Sequence, residues 1–142
     1  MKKQRKRFSA VGDRAVQFFN EGWNCAESVF KAVTEATGKA APVQLITGFG
    51  GGFGMNRSTC GTVTGAIAAL GLKFGRKKLD KAQKEIAYQK TREFYTRFRR
   101  AFHSTNCFEL SECEQDLKQI KKICRKYVRR AAMIAAEIID EG

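Results

Sequence analysis

Apolar residues recur every three or four positions along most of this chain, which is the spacing of one buried face of a helix. Runs of alternating β-branched residues, which are typical of strands, are nearly absent. The pattern predicts helices over residues 9–20, 25–37, 60–74 and 79–102, a last helix that ends near residue 140, and two short segments that begin at Pro42 and Cys107. The chain is therefore predicted to be all-α.

Glycines crowd the segment 48–55, which reads Gly-Phe-Gly-Gly-Gly-Phe-Gly-Met. So many glycines do not sustain an ordinary helix, and they predict a loop with unusual backbone angles. The helix that follows is lined with glycine and alanine, which let neighbouring backbones approach closely, so we expect it to be central. We expect a basic flexible tail at residues 1–7 and a single compact multi-helix domain over residues 8–142, with the glycine-rich loop before its central helix.

The length and charge of the chain indicate how many domains it has and in which kind of environment it works. With 142 residues, one domain can bury roughly two thirds of the unfolded surface, so its size requires neither a disulfide nor a metal. The 27 basic and 14 acidic residues give a net charge of +13. No secretory signal follows the basic start, and no apolar stretch is long enough to span a bilayer. We expect a soluble cytoplasmic protein, in which ordinary cysteines stay reduced.

The phrase Asn-Cys-x-Glu occurs twice, at residues 24–27 and 106–109. Asn is a strong N-cap, and a Glu three residues later can bond back to the cap. Cys25 and Cys107 are therefore expected at first helical positions, where the helix dipole favours a thiolate and lowers the thiol pKa. Cys60 follows Ser-Thr and is expected to open a helix in the same way.

The chain has five cysteines, and none forms a C-x-x-C pair, so the usual zinc-ribbon, thioredoxin and ferredoxin signatures are missing. Cys124 is expected at or near the start of the last helix, beside two basic residues. Cys113 lies between two glutamates and is expected to be exposed and incidental. Free cysteines are also among the most buried residue types, so the residues leave open whether Cys25, Cys60 and Cys107 share a site or are ordinary core residues.

Several segments together resemble a known family. They are Asn24-Cys25-Ala26, Gly48-Phe49-Gly50-Gly51-Gly52, Cys60-Gly61, Thr64-Gly65-Ala66, Asn106-Cys107 and Cys124-Arg125-Lys126-Tyr127-Val128. In this order they make the chain similar to a family of redox-active proteins named for the cysteine pattern C_GCAxxG_C_C, over nearly its whole length beyond the basic tail. The four cysteines of the family pattern fall on Cys25, Cys60, Cys107 and Cys124, and Cys113 lies outside it. The family's Cys-Gly-Ala-x-x-Gly motif begins at Cys60, with Thr62 in place of alanine.

The resemblance implies a redox or metal role for these four cysteines and leaves the chemistry open. In one mechanism, four thiolates bind an iron–sulfur cluster or another soft metal, because thiolates select such ions. In the other, no cofactor is needed, and cysteine pairs cycle between dithiol and disulfide. Two observations modestly favour the metal-bound form. Four thiolates suit tetrahedral coordination, and the C-x-x-C pair that dithiol oxidoreductases usually carry is missing.

Gly50, Gly51, Gly52 and Gly61 are candidates for holding a cofactor. They could bring backbone N–H groups close to the thiols, where such donors stabilise thiolates or the sulfurs of a bound cluster. A tight turn that lets helices pack closely explains the same glycines equally well. The loop lacks the Lys-Ser/Thr of a P-loop and the G-x-G-x-x-G spacing, which argues against a nucleotide site.

The basic surface suggests docking to an acidic redox partner protein, because complementary charge speeds encounter. The alternative function is a basic, non-catalytic adaptor that binds nucleic acid or an acidic partner, with structural cysteines. No nucleic-acid-binding signature accompanies the charge, so nucleic acid is the less favoured partner. A homodimer that shares a cluster across its interface stays open, and no membrane insertion is expected.

Overall fold

A computed structural model of the protein describes residues 1–39 and 41–142. Within these residues the chain forms seven α-helices: α1 Lys2–Glu21, α2 Cys25–Ala36, α3 Gly50–Phe53, α4 Gly61–Phe74, α5 Lys81–Phe102, α6 Cys107–Leu110 and α7 Leu117–Glu141. Two 3-10 turns, Val43–Leu45 and Thr47–Phe49, precede α3. The same residues contain no strand, only one isolated antiparallel bridge between Thr59 and Asn106. The all-α prediction is confirmed, and so is the short segment that follows Pro42.

The helices α1 and α7 pack antiparallel to each other. Arg129 of α7 pairs with Asp13 at 3.0 Å, and near the chain ends Arg7 pairs with Asp140. The helix α1 begins at Lys2 and not at residue 9, so its predicted start is wrong. Residues 2–7, predicted as a flexible tail, are the exposed first turns of α1, because Lys, Arg and Gln are good helix formers and Arg7 is tied to α7.

The parallel helices α2 and α4 form the centre of the bundle. A Cβ at Gly65 would lie 2.4 Å from the backbone oxygen of Ala26, so glycine is what allows these two backbones to meet. The helix α4 also contacts α5 and α7, which confirms its predicted central position. The core around it includes the buried side chains of Phe18, Val29, Val63, Phe94 and Ile134.

Two ends of the bundle can be distinguished. The N-termini of α2 and α4 lie side by side at one end, where Gly61 contacts Cys25. We call this end the thiol pole. The C-terminal parts of α2, α4 and α7 lie at the other end, the far pole, around a cavity of about 390 Å³ lined by Phe8, Ala36, Lys73, Ile139 and other residues.

The glycine-rich segment forms a left-handed turn. The dihedral angle φ lies between 60° and 70° at five consecutive residues, 51–55. Hydrogen bonds from the Gly54 N–H to the Gly50 oxygen (2.8 Å) and from the Arg57 N–H to the Gly51 oxygen (3.0 Å) hold the turn. The predicted unusual backbone angles are confirmed. They extend to Phe53 and Met55, where a side chain makes this conformation costly by about 1–2 kcal/mol per residue.

The last helix differs from its prediction. Asp116 caps α7 by accepting a hydrogen bond from the Lys118 N–H at 2.9 Å, and the helix begins at Leu117. Cys124 therefore lies two turns inside α7 and not at or near its start. None of the helices in the described part of the chain combines the length and the apolar character needed to span a lipid bilayer.

Candidate thiol centre

Cys25 occupies the first position of α2, as predicted. The side chain of Asn24 accepts a hydrogen bond from the Glu27 N–H (2.8 Å), and the Glu27 carboxylate accepts one from the Asn24 N–H (3.0 Å), which completes the predicted capping box. The other Glu27 oxygen accepts a hydrogen bond from the Thr47 hydroxyl at 2.8 Å. The start of α2 is thus fastened to the chain that leads into the left-handed turn.

Cys60 and Cys107 are held together by the Thr59–Asn106 bridge. The Cys60 N–H donates to the Thr105 oxygen at 2.8 Å, and the Cys107 N–H donates to the Ser58 oxygen. Both side chains are buried. Cys107 is the first residue of α6, as predicted, whereas Cys60 precedes α4 as its N-cap and makes no side-chain cap bond. Its sulfur lies 3.0 Å from the hydroxyl of Thr62.

The four thiols of the predicted set lie within one another's electrostatic reach. A negative charge on Cys107 raises the pKa of Cys25, and one on Cys25 raises the pKa of Cys60. Charges on all three of these cysteines raise the pKa of Cys124, which reaches the group from α7. The structure therefore brings Cys25, Cys60, Cys107 and Cys124 to the thiol pole. Cys113 is exposed, as predicted.

A family model described as "putative redox-active protein (C_GCAxxG_C_C)" matches residues 23–138, which include all four of these cysteines. The chain belongs to this family. The comparisons with curated proteins and with solved structures gave no match. Membership in the C_GCAxxG_C_C family confirms the resemblance that the cysteine and glycine motifs indicated, and redox activity is what the description of this family names.

The expected lowering of the thiol pKa is wrong for Cys25 and Cys60. Burial is the largest effect on Cys25, Cys60 and Cys124, and it raises the pKa of all three, to about 12 for Cys60 and Cys124. The backbone N–H of Gly51 lowers the pKa of Cys25 but does not offset the burial. The cost of removing an anion from water exceeds what a helix start supplies, which is about 0.3–1 kcal/mol.

The candidate glycines of this C_GCAxxG_C_C chain surround the thiols. A Cβ at Gly61 would lie 2.4 Å from the Cys25 sulfur, and one at Gly52 would lie 2.8 Å from the Cys107 Cβ. Gly50 packs in the same way on the cap residue Asn24. Together with the N–H of Gly51, these contacts place the glycine segment directly against Cys25 and Cys107.

Arg57 is a residue of the site that the sequence analysis missed. Its guanidinium donates hydrogen bonds to the Ser111 hydroxyl and to the Glu114 backbone oxygen, the latter at 3.1 Å, and its charge lowers the pKa of Cys124. Its Nε atom is the one buried side-chain nitrogen or oxygen in residues 1–39 and 41–142 that lacks a hydrogen-bond partner. No motif marks this residue, although an isolated arginine close to the motif cysteine Cys60 was a usable signal.

The thiols fit a metal in chemistry but not in arrangement. Four buried thiolates are the donor set that soft metals and iron–sulfur clusters prefer. Across residues 1–39 and 41–142, however, no group of three or more His, Cys, Asp or Glu side chains is placed so that it could hold a metal ion.

The raised pKa of Cys60 predicts that the reduced protein loses stability in alkali. Below about pH 8.5 the Cys60 thiol is protonated in both the folded and the unfolded chain. In this range its ionisation does not reduce the free energy of unfolding. Above that pH the unfolded thiol ionises while the folded one resists until about pH 12. The free energy of unfolding should therefore fall by about 1.4 kcal/mol per pH unit on account of this group.

Urea unfolding of the reduced wild type and of Cys60→Ala, measured from about pH 8 to about pH 10.5, isolates this contribution because other groups titrate alike in both. The difference in unfolding free energy between the two proteins should shrink as pH rises. A constant difference for Cys60→Ala would contradict the prediction.

Proposed function

We propose that this chain is a small redox protein whose Cys25, Cys60, Cys107 and Cys124 form one centre that cycles between thiols and disulfides. The observation that carries the proposal is the convergence of these four thiols, from four separate segments, at the thiol pole. Each contributes to a shared electrostatic environment, and three of them have raised pKa values. Unconnected core cysteines would not be expected to gather in this way.

Cys25 and Cys60 are the pair that the packing favours for the first disulfide. Gly61 follows Cys60 directly, and its missing side chain lets the Cys25 sulfur lie against it. Oxidation forms one S–S bond and breaks two S–H bonds. The two protons and two electrons that the thiols give up pass to the disulfide of an oxidised partner protein, which becomes a dithiol.

The raised pKa values have a kinetic consequence. Thiolates, and not thiols, attack disulfides, so thiols that remain protonated near neutral pH exchange slowly with dissolved disulfides. Small disulfides should accordingly oxidise the centre slowly, and a partner that docks close to it should oxidise it faster. This behaviour suits a protein that exchanges electrons with a specific partner and not with the glutathione pool.

The proposal is tested by redox titration of the full chain. The protein is equilibrated with mixtures of reduced and oxidised dithiothreitol, quenched with acid, unfolded and alkylated, and its peptides are then identified by mass spectrometry. We expect the motif cysteines to become protected in pairs over a narrow range of potential, starting with Cys25 and Cys60. Cys113 should be alkylated throughout. If every thiol stayed alkylatable under strongly oxidising conditions, the thiol–disulfide function would be rejected.

A second candidate is an iron–sulfur cluster, or another soft metal, for which the same four cysteines would have to move, because their side chains are not placed to hold a metal ion in this structure. The observation that favours it is the buried Arg57 Nε–H, which has no hydrogen-bond partner among residues 1–39 and 41–142 and belongs to a guanidinium whose charge acts on Cys124. Donors such as this N–H and the N–H of Gly51 stabilise cluster sulfurs and ligating thiolates. When bound, such a group would supply one-electron chemistry and would offset the cost of ionising four buried thiols.

The second candidate is tested by purification without oxygen, followed by measurement of iron, acid-labile sulfide and the visible absorption spectrum. A cluster predicts a coloured protein with stoichiometric iron, and Cys60→Ser should lose most of both. Arg57→Gln should retain less iron than the wild type, since it removes the buried donor. A colourless wild-type protein free of any metal would reject this candidate while leaving the disulfide titration to decide the first.

A further inference from the structure

Resting on the proposed function, we propose that the thiol pole is a docking surface for an acidic protein that carries a redox-active disulfide. Two groups of side chains define the surface. The apolar tip consists of Phe53, Met55 and Phe108, and the basic strip consists of Lys121, Lys122, Arg125 and Lys126.

The apolar tip presents large hydrophobic side chains to solvent around the thiols. Phe53, Met55 and Phe108 are 40%, 53% and 38% exposed. Met55 packs over Gly51, whose backbone N–H acts on the pKa of Cys25, and Phe108 directly follows Cys107. Exposed hydrophobic groups gathered at one place commonly mark an interaction surface.

The backbone of the tip supports the same conclusion. Phe53 and Met55 have φ angles of 67° and 70°, in the left-handed region that strongly disfavours bulky side chains. Glycine or asparagine would relieve this cost at both positions. Strained conformations of this kind cluster where a protein binds or reacts. The large apolar side chains here contribute little to the core of the free protein, so a partner that covers them accounts for their presence.

The basic strip lies on the first half of α7, on either side of Cys124. All four of its side chains are exposed. Lys121 lies over the ring of Phe19 and Lys126 over that of Tyr127, while Arg125 donates a hydrogen bond to Asn20. In the described part of the chain, none of the four forms an ion pair with a carboxylate, in contrast to Arg129 on the next turn, which pairs with Asp13.

Arg57 links the tip to the half of α7 that carries the strip. Its guanidinium lies over the ring of Phe108, 5.3 Å from the ring centre, and its charge acts on Cys124 within α7. Of the four thiols of the centre, those of Cys25 and Cys124 are half-buried, whereas those of Cys60 and Cys107 are buried. A partner that covers both the tip and the strip would therefore bring its own disulfide against the most accessible thiols of the centre.

Charge decides which partner fits. A second copy of this chain, with its net charge of +13, would set one basic strip against another, which costs several kcal/mol when like charges meet at an interface. A nucleic acid would pair its phosphates with the strip, but its polar backbone would leave Met55 uncovered. An acidic protein with an apolar patch complements both parts, and it speeds encounter by electrostatic attraction.

The docking surface is tested by fluorescence anisotropy at low salt, with a fluorescein-labelled peptide in which Asp and Glu alternate with Leu and Phe. The double variant Lys121→Glu with Lys122→Glu should bind this peptide at least about tenfold more weakly than the wild type. The control is Lys77→Glu with Lys78→Glu, which makes the same change in net charge at exposed positions of the far pole. It should change the affinity by less than about threefold, since only long-range attraction is altered.

The apolar tip is tested separately with Phe53→Asn combined with Met55→Asn. Asn tolerates the left-handed region, so the variant should fold as well as the wild type. It should lose at least about tenfold in peptide affinity, whereas Leu79→Asn, at an exposed apolar residue of the far pole, should lose almost none. Equal losses at the two poles, or tighter binding of a single-stranded oligonucleotide of equal charge than of the peptide, would overturn the proposal.

The binding assay is independent of redox chemistry. The peptide contains no cysteine, so its binding involves no oxidation or reduction of the thiols of the chain. Pole-selective binding by a chain that fails the disulfide titration would retain the docking surface and reject the thiol–disulfide function. A successful disulfide titration without pole-selective binding would retain the thiol–disulfide function and reject the docking surface.

Discussion

Gly65→Ala should destabilise the protein by about 1–3 kcal/mol, although alanine is the better helix former by about 1 kcal/mol. The added methyl group would lie 2.4 Å from the backbone oxygen of Ala26 and 3.0 Å from its Cα. Both obstacles are backbone atoms, so no side-chain rotation relieves the clash, and α2 must move away from α4. Urea unfolding followed by circular dichroism measures the effect.

Gly71→Ala is the matched control for this change. Gly71 lies in the same helix, α4, but is exposed, and nothing lies within 4 Å of the position that its Cβ would occupy. The substitution should stabilise the protein by up to about 1 kcal/mol through helix propensity alone. Changes of the same sign in the two variants would show that the contact between α2 and α4 is looser than described.

Cys60→Ser should remove one complete redox couple from the protein. Serine is nearly isosteric with cysteine and can keep the contact with the Thr62 hydroxyl, so the fold should be retained. Without the Cys60 sulfur, Cys25 has lost its favoured partner and should remain alkylatable at potentials that protect it in the wild type. The measurement is the same dithiothreitol titration, with the number of disulfides per chain as its result.

Cys113→Ser provides the comparison for the redox prediction. Cys113 is exposed and lies outside the group of four, so its loss should leave the number of disulfides and their potentials unchanged. A Cys60→Ser chain that formed as many disulfides as the wild type would show that Cys60 is a structural residue. The redox centre would then have to be built from the other cysteines.

Features that depend on neighbouring residues in the chain could be predicted from the sequence. The capping box of Asn24 and Glu27 is local, and it formed as expected. The second copy formed only in part: the Asn106 side chain caps α6, but Glu109 accepts a hydrogen bond from Ser104 instead of bonding back to the cap. The central position of α4 was also predictable, because its small residues allow the backbone of α2 to approach closely.

Features that depend on tertiary burial could not be predicted in the same way. The raised pKa values of Cys60 and Cys124 arise because several helices exclude water from these thiols. The effect of a helix N-terminus, in contrast, can be inferred from a few neighbouring residues of the sequence. The position of Cys124 inside α7 was missed because the first turns of this helix are mostly polar and exposed. Their apolar residues, Leu117, Ile120 and Ile123, are too few to mark the helix.

The contrast between Cys60 and Cys113 gives the chain its own pair of folding probes. A reagent can reach the Cys60 sulfur of the reduced protein only when the bundle opens, so its labelling rate reports the free energy of that opening. Cys113 reacts from the folded state and supplies the unhindered rate in the same sample. Pulsed alkylation can therefore follow folding on the ribosome or in a cell extract without any engineered label.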